Sequence, residues 1–192
     1  MAIKKNHILV EISNKHVHLS REDIHILFGK GYKLNMLKQL FQPKQFSAQE
    51  KVTLKNGDRK LENVRIIGPE REETQIEISR TDAIYLKMDP PLRESGNLKN
   101  TSGIQIEGPN GCVQVKKGLI IAQRHLHATP KQARELGIKN RQFLKIKIKG
   151  KKGGVFNNVI ARVSPDSRLV VHLDTDEGNA ACILEKTYGE LV

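Results

Sequence analysis

Short runs in which apolar and polar residues alternate dominate the chain. In Phe143–Lys149 three apolar residues alternate with three lysines, which predicts a strand with one buried face and one solvated face. Gly150–Gly154 then has the composition of a hairpin turn leading into a second strand over Val155–Val163. The same alternation recurs in three further segments: Gln75–Ser79, Ile104–Glu107 and Leu169–Asp174. Many short strands separated by turns predict a β-barrel or a β-sandwich.

Two segments carry clear helix signals. Ser20 has the character of an N-cap and precedes apolar residues at helical spacing, with Gly29 as a terminator. Thr129 caps the second segment, Pro130 occupies its first turn and Gly137 ends it. The sequence therefore predicts two short helices in a chain that otherwise forms strands.

The segments before these two helices repeat each other. Ile12–Ser20 aligns with Ile121–Thr129, and both have the order apolar, small, amide, basic, His, apolar, His, with a helix cap two residues later. Residues i and i+2 point to the same side only on an extended backbone, so each H-x-H pair can present two imidazoles to one ion. The repetition predicts two structurally related halves.

A metal site is the chemistry that these histidines favour, because neutral imidazole binds zinc well. One pair alone, His16 and His18, fits two surface histidines on a strand equally well. The recurrence of the pattern at His125 and His127 is what favours a metal.

Two histidines do not complete a zinc site, so further ligands are expected on neighbouring strands. His172 lies inside an apolar strand, and Glu77 shares a strand face with Gln75. Each also fits a buried polar residue that has found a hydrogen-bond partner. His7 and His25 lack comparable neighbours and are expected at ordinary surface or packing positions.

Composition narrows the class of partner. The chain has 192 residues, with 33 Lys and Arg against 21 Asp and Glu, a net charge of +12 that favours anionic ligands such as phosphates and nucleotides. Aromatic residues make up only 4% and Trp is absent, which argues against a surface that stacks single-stranded nucleic acid.

Cysteine usage and hydropathy indicate a cytoplasmic protein. Cys112 and Cys182 lie far apart and outside any CxxC motif, so we expect buried thiols rather than a disulfide framework. No run approaches the roughly 18 apolar residues of a membrane span. Glu11 interrupts the apolar stretch of Met1–Ser13, so this stretch does not have the pattern of a secretory signal.

Taken in order, the motifs of the chain resemble the phosphate propanoyltransferases, the PduL-type phosphotransacylases. The resemblance rests on six segments that span nearly the whole chain: Asn14–Ser20, Gln42–Phe46, Gly68–Arg71, Gln75–Ser79, Gln123–His127 and His172–Asn179.

The resemblance implies a mainly β fold of two small antiparallel β-barrels with short capping helices and an active site at their interface. The first barrel is expected to be discontinuous, with residues 1–20 and 116–192, and the second to comprise residues 21–115. The implied reaction transfers an acetyl or propanoyl group between coenzyme A and inorganic phosphate.

The resemblance also implies particular site residues. Two zinc ions are expected, one bound by His16, His18 and Glu77 and the other by His125, His127 and His172. Coenzyme A is expected near Ser13, Lys38, Arg65 and Asn179. Phosphate is expected near Gln42, Gln45, Arg71, Gln75, Ser95 and Arg162, with Arg71 as the catalytic residue because a guanidinium can bind phosphate through paired hydrogen bonds.

The chain departs from the family pattern at two positions. Lys15 stands where an arginine is usual, and Lys44 stands where a glycine is usual in the Gln-Pro loop. The segment before His16 is also short for an amphipathic targeting extension, so we expect a free cytoplasmic enzyme rather than one directed to a microcompartment.

Two other functions use the same residues. A dinuclear zinc hydrolase would share every ligand and would activate water instead of positioning phosphate. A basic β-barrel that binds nucleic acid would need zinc only for its structure. The acyl-group preference, the physiological direction and the oligomeric state are left open, although a homodimer is compatible with the family.

Overall fold

The computed structural model describes residues 7–183 and 186–192. Residues 1–6, on which the expectation about a leader partly rests, lie outside the described residues. Within the described residues, no helix is both long enough and apolar enough to cross a membrane.

The described residues form 15 strands and four short helices. In chain order they are β1 (Ile8–Ser13), β2 (His16–His18), α1 (Arg21–Phe28), β3 (Met36–Gln39), β4 (Phe46–Asn56), β5 (Arg59–Gly68), β6 (Gln75–Glu77), α2 (Arg80–Tyr85), β7 (Leu92–Arg93), β8 (Gln105–Glu107), β9 (Cys112–Gln114), β10 (Leu119–Ala122), β11 (His125–Ala128), α3 (Pro130–Leu136), β12 (Phe143–Ile148), β13 (Gly154–Val163), β14 (Val170–Asp174), α4 (Thr175–Ala180) and β15 (Thr187–Leu191). The predicted mainly β fold with short helices is confirmed.

The chain divides into two compact units. The first combines Met1–Asn14 with Gln123–Val192, and the second is Lys15–Ala122. These boundaries differ from the expected 20/21 and 115/116. The reason is hydrogen bonding, because strand β2 pairs with β5 and β6, and so His16 and His18 belong to the second unit.

The first unit is a closed barrel with the strand order β1-β14-β11-β13-β12-β15, in which β1 also pairs with β15. The predicted hairpin is present as the antiparallel pair β12 and β13. Alternate residues, such as Leu126 of β11 and Val171 and Leu173 of β14, join the hydrophobic core. The intervening histidines therefore lie on the opposite face of the same strands.

The second unit contains a nine-stranded sheet that curls into a half-barrel. Its main path runs β7-β10-β6-β2-β5-β4-β8-β9, and β3 pairs with β4. The long hairpin of β4 and β5 turns at Gly57-Asp58, where Gly57 has a positive φ of 57°. Val17 and Ile76 belong to the core, so the polar neighbours of each lie on the other face.

The predicted repeat is visible in the strand pairing. Strand β2 lies between β5, which is parallel to it, and β6, which is antiparallel. Strand β11 lies in the same way between the parallel β13 and the antiparallel β14. Each H-x-H strand thus occupies an equivalent position in its own unit.

Both predicted helices are confirmed with their caps. The Ser20 side chain accepts from the Asp23 amide and α1 is followed by Gly29; the Thr129 side chain accepts from the Gln132 amide and α3 ends at Gly137 in the left-handed conformation. The prediction of buried cysteines is wrong, because both thiols are free and exposed. Cys112 lies on the sheet-edge strand β9, and Cys182 lies in the turn after α4.

Candidate metal centres

Four strands share one plan, in which a ligating side chain lies two residues before the N-cap of the following helix. The pairs of ligand and cap are His18 and Ser20, Glu77 and Ser79, His127 and Thr129, and His172 and Asp174. In each case a short extended segment ends and a capped helix begins directly afterwards. The plan places all four ligands at the ends of strands, where the backbone is fixed both by sheet pairing and by a cap.

The third ligand of each centre lies opposite the first histidine of the H-x-H pair. His16 is directly opposite Glu77 across the antiparallel pair of β2 and β6. His125 is directly opposite His172 across the pair of β11 and β14. Side chains at opposed positions project from the same face of a sheet, so the register alone brings each third ligand to its pair.

In the first unit, three imidazole nitrogens converge. His125 Nε2 lies 3.1 Å from His127 Nε2, and His172 Nδ1 lies 3.3 Å from His125 Nε2. Two ligands of a tetrahedral zinc ion with Zn–N bonds of about 2.0 Å lie roughly 3.3 Å apart. The spacing therefore fits one small ion bound by three nitrogens, and we call this group the three-histidine centre.

For two of the three histidines, the ring nitrogen that faces away from this centre lies near an acceptor. His125 Nδ1 donates to the Gln123 carbonyl oxygen at 2.8 Å, which leaves Nε2 with a free lone pair. His172 Nε2 lies 3.4 Å from Glu11 Oε2, and Glu11 is opposite His172 on the neighbouring strand β1. Acceptors of this kind select the tautomer that a metal ligand needs.

The three-histidine centre disfavours protonation. Burial lowers the pKa of His127 to about 3, and the charges of His172 and Arg162 act in the same direction. Burial also lowers the pKa of His125 well below its ordinary value, with His172, His127 and Arg162 adding to the effect. Arg162 is opposite His127 on β13, so the register places a cation beside the imidazoles. Neutral imidazole is the form that binds a metal.

In the second unit, His16, His18 and Glu77 form the other cluster, with one ligand atom from each within 4.8 Å of the others. All three are buried, and His16 Nε2 lies 3.7 Å from Glu77 Oε2. His18 Nδ1 donates to the Ile67 carbonyl oxygen at 3.0 Å, so its Nε2 is again the nitrogen with a free lone pair. We call this group the carboxylate centre; its two nitrogens and one oxygen are a common zinc ligand set.

The second oxygen of Glu77 is bound by neighbouring side chains. Gln75 Nε2 donates to Glu77 Oε1 at 2.5 Å, and Ser95 Oγ donates to the same oxygen at 2.8 Å. Gln75 Nε2 also donates to Ser95 Oγ at 2.8 Å, and Gln75 Oε1 accepts from the Gly96 amide at 2.8 Å. Glu77 is therefore fixed through Oε1, while Oε2 faces the histidines.

An arginine also accompanies the carboxylate centre. Burial lowers the pKa of His18 well below its ordinary value, and the charges of His16 and Arg71 lower it further. The Arg71 amide donates to the Leu19 carbonyl oxygen at 2.9 Å, and Arg71 forms an isolated bridge with Ser20. This backbone contact places Arg71 beside the residues that directly follow His18.

The residues expected at coenzyme A lie in both units. Ser13 ends β1 opposite Asp174, the N-cap of α4, and Asn179 is exposed within α4. Helix α4 packs closely on β1 at Gly178, where an added Cβ would lie 2.5 Å from Ile12 Cδ1. Lys38 is exposed on β3.

Arg65 is partly committed to the sheet of the second unit. Its Nη1 donates to the carbonyl oxygens of Ala48 and Gln49 at 3.0 and 2.9 Å. These bonds run from β5 to the neighbouring strand β4 and contribute to their pairing.

The Gln-Pro loop has a backbone feature that explains one departure from the family. Lys44 has a φ of 63°, in the left-handed region that favours glycine. Lys44 therefore has a backbone conformation that a glycine at this position would adopt without strain. Gln42 in this loop is buried, and the Gln45 carbonyl oxygen accepts from the Leu40 amide at 3.0 Å.

Sequence analysis missed the residues that support the ligands. Glu11 entered it only as a break in an apolar stretch, and no pattern joined Glu11 to His172 across 161 positions. The third ligands, by contrast, carry a readable signal, since Glu77 and His172 each precede a Ser or Asp helix cap by two residues, as His18 and His127 do.

In this mainly β protein, each of two related units gathers three side chains that could hold a metal ion near an arginine, an arrangement suited to binding anions. The family model for phosphate propanoyltransferase matches residues 9–184 of the chain. The chain belongs to the phosphate propanoyltransferase family. With that membership, the predicted enzyme class, a phosphate acyltransferase, is confirmed.

Curated relatives agree with this membership over nearly their full lengths. The phosphate propanoyltransferase of Thermotoga maritima is 49% identical over 181 residues, which cover 94% of this chain and 86% of that protein. The protein of the same name from Salmonella typhimurium is 44% identical, covering 93% and 85%. That of Listeria monocytogenes is 37% identical, covering 100% and 90%.

Proposed function

We propose that this enzyme is zinc-dependent and interconverts acyl-coenzyme A and phosphate with acyl phosphate and coenzyme A, the acyl group being acetyl or propanoyl. The observation that carries the proposal is the convergence of three ligand atoms at a tetrahedral spacing in the three-histidine centre. The names of the relatives supply the acyl group and the phosphate.

The residues present fit two zinc ions. His125, His127 and His172 would hold one ion, and His16, His18 and Glu77 would hold the other. A bound zinc ion would supply Lewis acidity to polarise an oxygen or stabilise a leaving sulfur. Buried, neutral imidazoles whose far nitrogens already have acceptors would bind such an ion with little reorganisation.

The chain's own residues have a clear task in the reaction, because both reactants are anions. An oxygen of hydrogen phosphate attacks the thioester carbonyl carbon, the carbon–sulfur bond breaks, and the proton of the phosphate ends on the coenzyme A thiol. Arg71 would grip the phosphate through paired hydrogen bonds, and Arg162 would offset negative charge near His127. No covalent enzyme intermediate is needed, because phosphate is itself the nucleophile.

Other residues are proposed to bind the substrates. Gln42, Gln45 and the two arginines would contact phosphate. Ser13, Lys38, Arg65 and Asn179 would contact coenzyme A. For Arg65 we propose that the guanidinium nitrogens other than Nη1 contact the cofactor, since Nη1 donates to two carbonyl oxygens.

A thiol-release assay tests the proposal. Purified enzyme is given acetyl- or propanoyl-coenzyme A with and without phosphate, before and after chelation, and both free thiol and acyl phosphate are measured. We expect thiol and acyl phosphate in equal amounts, only with phosphate present, and loss of both after chelation. Thiol release without phosphate would instead identify a hydrolase. No release at all, together with salt-sensitive binding of an oligonucleotide, would favour a nucleic-acid-binding protein.

We also propose the cytoplasm as the place of action. Cys112 and Cys182 are exposed and free, and exposed free thiols persist in a reducing compartment. Both the coenzyme and an acyl phosphate are reactants of cytoplasmic metabolism. The homodimer stays a prediction, which the mass of the purified protein in solution would test.

A further inference from the structure

The side chains of Gln75 and Ser95 hydrogen-bond to Glu77 and to each other, and these bonds engage all the hydrogens that the two side chains can donate. The Gln75 amide has two hydrogens, which go to Glu77 Oε1 at 2.5 Å and Ser95 Oγ at 2.8 Å. Ser95 has one hydroxyl hydrogen, which goes to Glu77 Oε1 at 2.8 Å. Gln75 is only 1% exposed, so solvent offers no alternative partner.

We propose that Gln75 and Ser95 are positioning residues that orient Glu77, and that they are not phosphate ligands. Phosphate oxygens accept hydrogen bonds, whereas the donor hydrogens of these two side chains are already engaged within the network. By holding Oε1, they leave Oε2 as the single oxygen aimed at the metal, 3.7 Å from His16 Nε2. The Gly96 amide fixes the Gln75 amide in turn, so the network reaches back to the main chain.

This inference rests on the proposed function, because it concerns a ligand of a proposed zinc centre, but its test does not need activity. Ser95→Ala and Gln75→Leu are made in the full-length chain carrying His127→Ala, so that the carboxylate centre is the one measured. Zinc affinity is determined by competition with a chelator of known affinity. We expect a loss of about 10- to 100-fold, as for other groups that support a metal ligand, and recovery of much of it in Ser95→Thr, which keeps the hydroxyl.

Ser102→Ala is the matched control, since Ser102 is an exposed serine of the same unit, and its zinc affinity should be unchanged. If Ser95→Ala binds zinc as tightly as its parent, the positioning role is wrong. In that case, a higher KM for phosphate when Ser95→Ala is made in the otherwise wild-type enzyme would indicate that Ser95 contacts phosphate instead. If Gln75→Leu fails to fold, Ser95→Ala alone tests the positioning role, because it removes only one oxygen atom and is the smaller change. Failure of the proposed function would instead appear as absent acyl transfer in the parent enzyme.

A separate observation concerns the other centre. Glu11 lies directly opposite His172 on β1, and its Oε2 lies 3.4 Å from His172 Nε2, while His172 Nδ1 faces His125. The two nitrogens of this ring thus point to different groups. Of the three histidines, only His172 faces a carboxylate with its outer nitrogen within the described residues.

The geometry points to Glu11 as the positioning residue of the three-histidine centre. Its carboxylate faces the Nε2–H group and would accept from it, which favours the tautomer with a free Nδ1 lone pair and raises the basicity of that nitrogen. Side-chain exposure of 39% limits the strength of the contact, so the expected effect lies near the lower end of the usual range.

Zinc affinity again provides the test, now in the full-length chain carrying His18→Ala. Glu11→Ala should weaken zinc binding by about 10-fold, and Glu11→Gln should weaken it less because the amide oxygen still accepts. Glu190→Gln is the control, a barrel carboxylate that lies 3.6 Å from Lys149, and it should have no effect. Equal affinities for Glu11→Ala and its parent would overturn the assignment.

Discussion

The two centres are built on equivalent antiparallel strand pairs, β2 with β6 and β11 with β14, yet place their carboxylates differently. In the second unit the residue opposite the first histidine is Glu77, which is itself a proposed ligand. In the first unit the equivalent residue is His172, and a carboxylate, Glu11, stands behind it. With a divalent ion bound, the first arrangement leaves a formal charge of +1 at the ligand set and the second leaves +2. One position in a repeated register thus sets the charge of each centre.

This difference bears on how the centres would share the reaction. A more positive centre attracts an anion more strongly, because the interaction scales with the charge product. The three-histidine centre is therefore the better partner for a developing thiolate or oxyanion. In the carboxylate centre, the Glu77 charge would offset part of the charge of a bound ion, and the nearby Arg71 would add positive charge. We expect the two ions to have unequal roles.

The largest effect on zinc content and activity is expected from removing a proposed ligand from one centre at a time. His127→Ala should lose the ion of the three-histidine centre, and His18→Ala that of the carboxylate centre, each leaving one zinc per chain. Activity should fall below about 1% of wild type in both, since ligands matter more than the groups that support them. Zinc content per chain and turnover are the measurements. Two ions retained in either variant would show that the residue is not a ligand.

Arg71→Ala separates the arginine from the metal beside it. We expect turnover to fall by about 10²-fold, as when other groups that stabilise transition-state charge are lost, with zinc content unchanged. Arg71→Lys should recover only part, because an ammonium cannot donate in a planar pair. Arg162→Ala in the other unit provides the parallel measurement. Wild-type turnover in Arg71→Ala would refute its catalytic role.

Sequence patterns predicted the parts of this comparison that depend on local rules. The H-x-H pairs, the caps at Ser20 and Thr129 and the β12–β13 hairpin all depend on residues close together in the chain. Helices α2 and α4 escaped prediction, because each has only six residues and no apolar periodicity. The β4–β5 hairpin carried a turn signal that the sequence analysis did not use, the Gly57-Asp58 pair.

Other features depend on register between distant strands, which no local pattern specifies. Glu11 meets His172 only because β1 runs parallel to β14 in one particular alignment. Ser95 meets Glu77 from a loop between β7 and β8. Cys112 is exposed because it begins the sheet-edge strand β9, and Cys182 because it lies in the turn after α4. A cysteine's average preference for burial predicts neither position.

Acid should destabilise the metal-free chain through the buried histidines. Folding lowers the pKa values of His18, His125 and His127. Near and below pH 6.5, these histidines therefore bind protons in the unfolded chain but stay neutral in the folded chain. Stability is therefore complete above that pH and falls as the pH drops towards the folded pKa values. Each histidine contributes at most about 1.4 kcal/mol per pH unit.

Urea unfolding of the chelated protein between about pH 7 and about pH 5 measures this loss. His18→Ala should reduce the pH dependence by less than the double change His125→Ala and His127→Ala, because two of the three groups lie in the first unit. A midpoint that does not move with pH would contradict the proposed neutral state. Zinc-loaded protein is the control and should resist acid more, since the bound ion competes with protons.

The smallest expected effect concerns the N-cap between each H-x-H strand and the helix that follows it. In the first unit Thr129 and Gln132 bond each other directly, with the Gln132 side chain accepting from the Thr129 amide at 2.9 Å. In the second unit the equivalent residue, Asp23, accepts instead from the Thr74 hydroxyl, and Thr74 Oγ1 accepts from the Ser20 amide at 2.8 Å. Thr74 thus completes across 51 positions a cap that the first unit makes locally.

Thr74→Val removes this hydroxyl while keeping the shape of the side chain. It should lower the free energy of unfolding by about 1 kcal/mol, comparable to losing a helix cap, and Ser20→Ala should cost a similar amount. Because both changes act on one network, the double variant should cost less than the sum of the two, whereas Thr74→Val and Thr129→Ala in different units should add. Urea unfolding of the three single variants, the two double variants and wild type measures these differences. Strict additivity of Ser20→Ala and Thr74→Val would show that Thr74 does not take part in capping α1.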